Sequence, residues 1–283
     1  MDETTRKKIT RQIKHALLHG CFNENPDFKM VMKRIVASPK DLLDESDAFA
    51  FDNDACLTRC NGHCCSGTDL IRITPVDVDY IMKSGLVNGQ TRAQVVKKTL
   101  DVFLGGTSRI PMATIRFLYL PGTPLRVCPF SSMIFKFSGG KNELKGVCAL
   151  GQKNKPTICM LFPLGRLKLD MDENKEQQAP IDAMNKIIDS KWIYFSMNCD
   201  GTKTAKKVLV KDFVGNIDEK NAINEAYTKT MSTIIEKLRA EGNEGKIDEI
   251  MKTMMMIFFY GEETTEEKIA KFKEMDDERM AEE

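Results

Sequence analysis

The sequence predicts an α+β protein: a cysteine-rich metal-binding core with a small antiparallel sheet, flanked by N- and C-terminal helices. Three observations predict it. Apolar residues recur at helical spacing towards both ends. The middle holds short runs rich in aromatic and branched residues, the pattern of strands. Eight of the nine cysteines fall in that middle. The expected order is a helical segment over 1–48, a cysteine-cluster metal-binding domain over 49–202 and a second helical segment over 203–283.

Each element has a local reason. Residues 4–19 place Ile9, Ile13, Ala16 and Leu17 at helical spacing, with Lys7, Lys8, Arg11 and Lys14 along the same helix, and Gly20 ends it. A second short helix is expected over 28–37, before Pro39. Residues 40–55 are acidic and irregular and read as an approach loop. Thr74-Pro75-Val76-Asp77 is a helix start, with threonine as N-cap, proline at the first helical position and aspartate in the first turn. Gly85 stops that helix. Thr91 to Leu104 reads as a further helix, closed by Gly105-Gly106. Residues 113–120, 132–138, 164–172 and 192–197 read as strands, with SGGKNELKG (138–146) as a turn region. Helices resume over 218–240, where Ile223, Ala226, Tyr227, Ile234 and Leu238 share a face. They continue over 246–260, where Ile247, Ile250, Met251, Met254 and Phe258 do the same. Residues 262–283 carry ten acids against four bases, a net of −6.

Composition bounds the function. With 283 residues, 42% apolar and 29% charged, the chain resembles an ordinary soluble protein long enough to bury a core. A net charge of +1 provides no overall pull towards nucleic acid or anionic membrane, and neither is expected as a partner. The N-terminus lacks the apolar run and small-residue cleavage site of a secretory leader. No stretch reaches the roughly eighteen apolar residues of a membrane span. The expected compartment is cytoplasmic. Thiols stay reduced there, so clustered cysteines read as metal ligands or redox groups before they read as disulfides.

The cluster is specific. CLTRCNGHCC (56–65) holds Cys56, Cys60, Cys64 and Cys65, and Cys128, Cys148, Cys159 and Cys199 follow. Zinc and iron–sulfur clusters are both held by sets of four thiolates. Gly62 and Gly67 supply the backbone freedom that closely spaced ligands need. Cys64 and Cys65 are adjacent and point apart in an extended backbone, so the two serve different sites or only one is a ligand. Cys21 stands apart and reads as an ordinary thiol. His15 and His19 read as a solvated helix face, and His63 as a loop histidine. Phe130 and Phe162 read as apolar cover, and Lys155 as a surface lysine.

The ordered motifs carry a resemblance. CLTRCNGHCC, then CPF (128–130), Cys148, KPTICMLFP (155–163) and Cys199-Asp200-Gly201 resemble the YkgJ-type cysteine-cluster family, a zinc- or iron-chelating group related to flagellin lysine-N-methylase. The likeness spans residues 54–201, with Lys155 where arginine is usual. It implies a metal centre drawn from the eight cysteines, with a 4Fe-4S cluster preferred over zinc. It also raises an S-adenosylmethionine-dependent protein lysine methyltransferase and a structural zinc module as alternatives. The partners implied are a metal ion or cluster, and a protein partner or protein substrate. Which thiols share an ion, and whether there are one or two sites, stay open at this level.

Overall fold

The computed structural model describes residues 1–20, 26–53, 71–105, 108–119, 122, 126–138, 141–170, 190–197 and 199–282. Mixed helices and small antiparallel sheets make it α+β. The chain divides into two compact units, each built from two stretches. One is Met1–Cys60 with Leu161–Val214; the other is Asn61–Met160 with Gly215–Glu283.

The first unit opens with α1 (Glu3–Leu18), whose N-cap Asp2 accepts the Thr5 N–H at 2.9 Å. This satisfies one of the donors a helix start leaves open. Helix α2 (Pro26–Ala37) follows, then two short strands, β1 (Leu42–Leu43) and β2 (Ala48–Ala50).

The second unit carries the next elements. There β3 (Arg72–Ile73) leads into α3 (Pro75–Met82) and α4 (Arg92–Thr99). Next come β4 (Leu100–Leu104), β5 (Pro111–Ile115), β6 (Leu118–Tyr119) and β7 (Arg126–Val127). A long hairpin follows, β8 (Ser131–Ser138) and β9 (Lys141–Cys148), and then the short helix α5 (Thr157–Leu161). Strands β3, β5 and β4 form one sheet, and β6–β7 and β8–β9 are antiparallel pairs.

The second stretch of the first unit supplies β10 (Leu164–Asp170), β11 (Ser190–Ser196), β12 (Lys207–Leu209) and α6 (Val210–Val214). The sheet order is β1-β11-β10, and β12 pairs with β2. Ile9, Ile13 and Ala16 of α1, Met32 and Ile35 of α2, Leu42, Ile193 and Phe195 form its core. Gly165 sits opposite Phe195 in the ladder, and a Cβ there would lie 2.3 Å from the Phe195 ring. Only glycine lets the ring lie over that strand.

The second unit ends in α7 (Ile217–Ala240), α8 (Ile247–Met255), a π-helical turn over Met256–Tyr260 and α9 (Thr265–Glu282). Tyr227, Met231, Ile235, Ile247, Met251, Phe258 and Ile269 pack together, with Ile223, Ala226, Ile234, Leu238, Ile250 and Met254 against them. These are the stripes the spacing predicts. No helix among the described residues is long and apolar enough to cross a membrane.

Four local expectations need correction. The approach loop contains β1 and β2, strands too short to show a period of two. The helix expected over 91–104 ends at Thr99, where Leu100 turns extended at φ −126°, and LDVFL pairs with β5 instead. The Arg116 guanidinium donates to the carbonyls of Lys97 (2.7 Å) and Leu100 (2.9 Å), satisfying the acceptors that this helix end frees. The strand expected over 113–120 breaks into β5 and β6. Residues 141–146 of the supposed turn belong to β9, whose polar sequence is carried by its pairing with β8. Other expectations hold closely: Gly85 follows α3 at φ +74°, a conformation that favours glycine.

Candidate metal centre

Cys56, Cys60, Cys64 and Cys65 lie outside the described residues, as do Cys21 and His63. The other four expected ligands are placed. Cys128, Cys148 and Cys159 all belong to the second unit. Cys128 is buried in an apolar core with Ile71, Ile73, Phe130 and Leu150, and Cys148 and Cys159 pack against that core. The β8–β9 hairpin and helix α5 thus bring three thiols to one apolar cluster.

The hairpin sets two of them. Ser131, the first residue of β8, donates both its N–H (3.0 Å) and its hydroxyl (2.7 Å) to the Cys128 carbonyl. The same serine faces Cys148 in the β8–β9 ladder. The Ala149 N–H donates to the Phe130 carbonyl at 2.9 Å, closing the base of the hairpin. Cys128 and Cys148 therefore sit at one end of one hairpin. Phe130, expected as apolar cover, is 2% exposed in this core.

A different device holds Cys159. It rides on α5, whose first residue is gripped by α3. Asp77 Oδ1 accepts the Thr157 N–H at 2.7 Å and the Thr157 hydroxyl at 2.9 Å. The other oxygen, Oδ2, accepts the Thr74 N–H at 3.0 Å, while the Thr74 hydroxyl accepts the Asp77 N–H. One carboxylate thus completes the capping box of α3 and caps α5 as well. Just upstream, the Lys155 carbonyl accepts a hydrogen bond from Lys220 Nζ at 2.6 Å. The Lys155 side chain itself turns to Gln152 Oε1 at 2.9 Å.

Lys220 is the residue that sequence reasoning misses. It is fully buried on α7, and its ammonium lies 4.0 Å from the centre of the Tyr80 ring. Burial pulls its pKa down to about 8, and the Asp77 and Glu219 carboxylates pull the other way. The Tyr80 hydroxyl donates to Glu219 Oε1 at 2.7 Å, and burial and that bond together raise the phenol pKa. The available signal was positional: Lys220 lies three residues after Ile217 and seven before Tyr227, on the buried stripe of α7.

Cys199 belongs to the first unit. It is half-buried at the head of a short turn over Asp200–Thr202, where Thr202 Oγ1 bonds the Cys199 carbonyl at 2.8 Å. The Gly201 carbonyl in that turn accepts the Asp52 N–H at 2.8 Å. Among the described residues no three histidine, cysteine, aspartate or glutamate side chains gather closely enough to hold a metal ion. Cys128, Cys148 and Cys159 do not make a ligand set by themselves.

The donor chemistry nonetheless fits a soft metal. Thiols on an apolar lining suit zinc or an iron–sulfur cluster and exclude water from it. Ile71, the first residue described after the four-cysteine segment, lies in the same core as Cys128. Comparison with known proteins finds no family model, no curated protein and no solved structure that matches the chain.

Proposed function

We propose that the chain is a cytoplasmic metal-binding protein of the YkgJ-type cysteine-cluster kind. It holds a 4Fe-4S cluster, with zinc in its place as the alternative, through thiolates drawn from Cys56, Cys60, Cys64, Cys65, Cys128, Cys148, Cys159 and Cys199. The observation that carries the reading is the convergence of Cys128, Cys148 and Cys159 on one apolar core. Further thiolates would come from the cysteines that lie outside the described residues. When bound, an iron–sulfur cluster would supply one-electron chemistry or a sensing group. The chain's own part is to present the thiols, fix their segments by the Ser131 and Asp77 hydrogen bonds, and keep the lining dry.

Anaerobic purification, an absorption spectrum and metal analysis per chain test this. The expected result is a brown protein with broad visible absorption and about four irons per chain. A colourless protein with zinc would make the cysteines a structural scaffold. A protein without either metal would overturn the reading. Cys159→Ser and Cys128→Ser are each expected to lose metal.

A further inference from the structure

His15 and His19, expected as a solvated face of α1, meet each other at the end of that helix. Their ring centroids lie 4.2 Å apart, with the planes tilted by 39°. Residues four apart share a helix face. The His19 N–H donates to the His15 carbonyl at 3.1 Å, so the helical spacing holds through the last turn. His15 is half-buried and His19 is exposed. Among the described residues, His15 Nδ1 is buried and has no hydrogen-bond partner. That edge of the ring faces protein, which leaves Nε2 as the nitrogen that meets solvent.

Two imidazoles at i and i+4 on a helix can close on one metal ion. Zinc, copper and nickel all take imidazole nitrogen, at about 2.0–2.1 Å. Two rings that share one ion at right angles place their centroids about 4.5 Å apart, and a tetrahedral angle places them about 5.2 Å apart. The observed spacing is close to the first. It favours an ion with right-angle ligands over a tetrahedral one. We propose that His15 and His19 form a chelating site for such a divalent transition metal, nickel or copper, at the C-terminal end of α1. The place suits a cation, because the last carbonyls of a helix carry partial negative charge. Arg11 and Lys14 lie on the same helix but are exposed, so solvent screens their charge from the ion. Two nitrogens leave the remaining positions to water, and the bound ion exchanges. Binding would tie down the last turn of α1, since both rings reach one ion only while residues 15–19 stay helical. The site belongs to the first unit and is independent of the cysteine reading.

A nickel titration tests the site. The chain has three histidines, the third being His63. Wild type, His15→Gln, His19→Gln and His63→Gln are prepared with isotope-labelled histidine, and the imidazole signals are followed by NMR as Ni(II) is added. Nickel is the probe because copper(II) also oxidises thiols. Watching imidazoles separates this site from any nickel that thiols take up. The paramagnetic ion is expected to broaden the His15 and His19 signals together while less than one equivalent is present, and to spare His63. The dissociation constant read from the same signals is expected to rise at least about tenfold in His19→Gln, where the chelate is lost, and to be unchanged in His63→Gln. His19 is exposed, so His19→Gln decides the matter should His15→Gln fail to fold. Absence of broadening, broadening of one member of the pair alone, or an unchanged constant in His19→Gln would each overturn the inference. Equal weakening in His63→Gln would also overturn it. None of these outcomes bears on the metal proposed for the cysteines.

Discussion

Lys268 shows what a buried cation does to stability. Its ammonium donates to the Gly261 carbonyl at 2.7 Å, and burial, with the nearby Arg92 charge, pulls its pKa down to about 8. In the unfolded chain the group returns to its ordinary value of 10.5. Between those two values the folded protein has released the proton and the unfolded chain still holds it. Unfolding then takes up protons, so stability rises with pH across that window, and below about pH 8 the folded state carries the full burden of the buried charge. The stability of wild type relative to Lys268→Met is therefore expected to improve from pH 8 to pH 10, as measured by urea denaturation at each pH. A constant difference would contradict it.

Gly165 makes an opposite kind of demand, of space rather than charge. Gly165→Ala forces a Cβ into the Phe195 ring, and a loss of about 1–3 kcal/mol is expected. The single tryptophan, Trp192, lies in the paired strand, so its fluorescence can follow the unfolding. At this scale the sequence is poorly legible for buried cations. A lysine reads as solvated, and only its place on an apolar stripe marks Lys220 as buried.

At the scale of elements, two capping boxes allow a controlled comparison. Thr91 and Gln94 box the start of α4 on an exposed surface. Thr74 and Asp77 box the start of α3, and Asp77 also holds the N–H of Thr157. Gln94→Ala is expected to cost no more than about 1 kcal/mol. Asp77→Ala is expected to cost about 2–4 kcal/mol, because it also leaves a buried N–H without its acceptor. Faster amide exchange at Thr157 in Asp77→Ala alone would confirm the second role, and equal losses in the two variants would refute it. Both boxes involve residues three apart, and the one at Thr74 is plain in the sequence. Strands β1, β2, β9 and β12 are not. Two or three residues show no period, and β9 owes its existence to β8 rather than to its own composition. Helix α4 was overextended for a related reason: the sequence after Thr99 keeps its apolar content, and only the distant Arg116 marks where the helix stops.

At the scale of the molecule, the second unit is fastened across a long gap in sequence by one polar group. Arg92 pairs with Asp79 and donates to the carbonyls of Pro75 (3.0 Å), Phe258 (2.9 Å) and Phe259 (3.1 Å). Asp79 Oδ2 accepts the Thr265 N–H at 2.9 Å. The π-helical turn frees carbonyls that this guanidinium then satisfies. Asp79→Ala would leave a buried guanidinium without its anion, and a loss of about 3–5 kcal/mol in denaturant unfolding is expected. A change below about 1 kcal/mol would show that the carbonyls alone carry Arg92. No local pattern signals this arrangement, since its partners lie up to 186 residues apart. On the proposed metal-binding function, chelation is expected to raise amide exchange around Cys128, Cys148 and Cys159, because metal binding contributes folding energy. Unchanged exchange there would separate the core from the metal.

Helix α3 joins these threads. Seven of its eight residues are buried. Asp77 and Asp79 lie two residues apart, about 200° around the helix, so one carboxylate serves the cysteine segment and the other serves the C-terminal helices. Most surface helices have an outward side on which substitutions drift without penalty. Here that side is missing. A saturation scan of residues 75–81 should find almost no tolerated change, and a single lesion in this stretch should register as two defects at once.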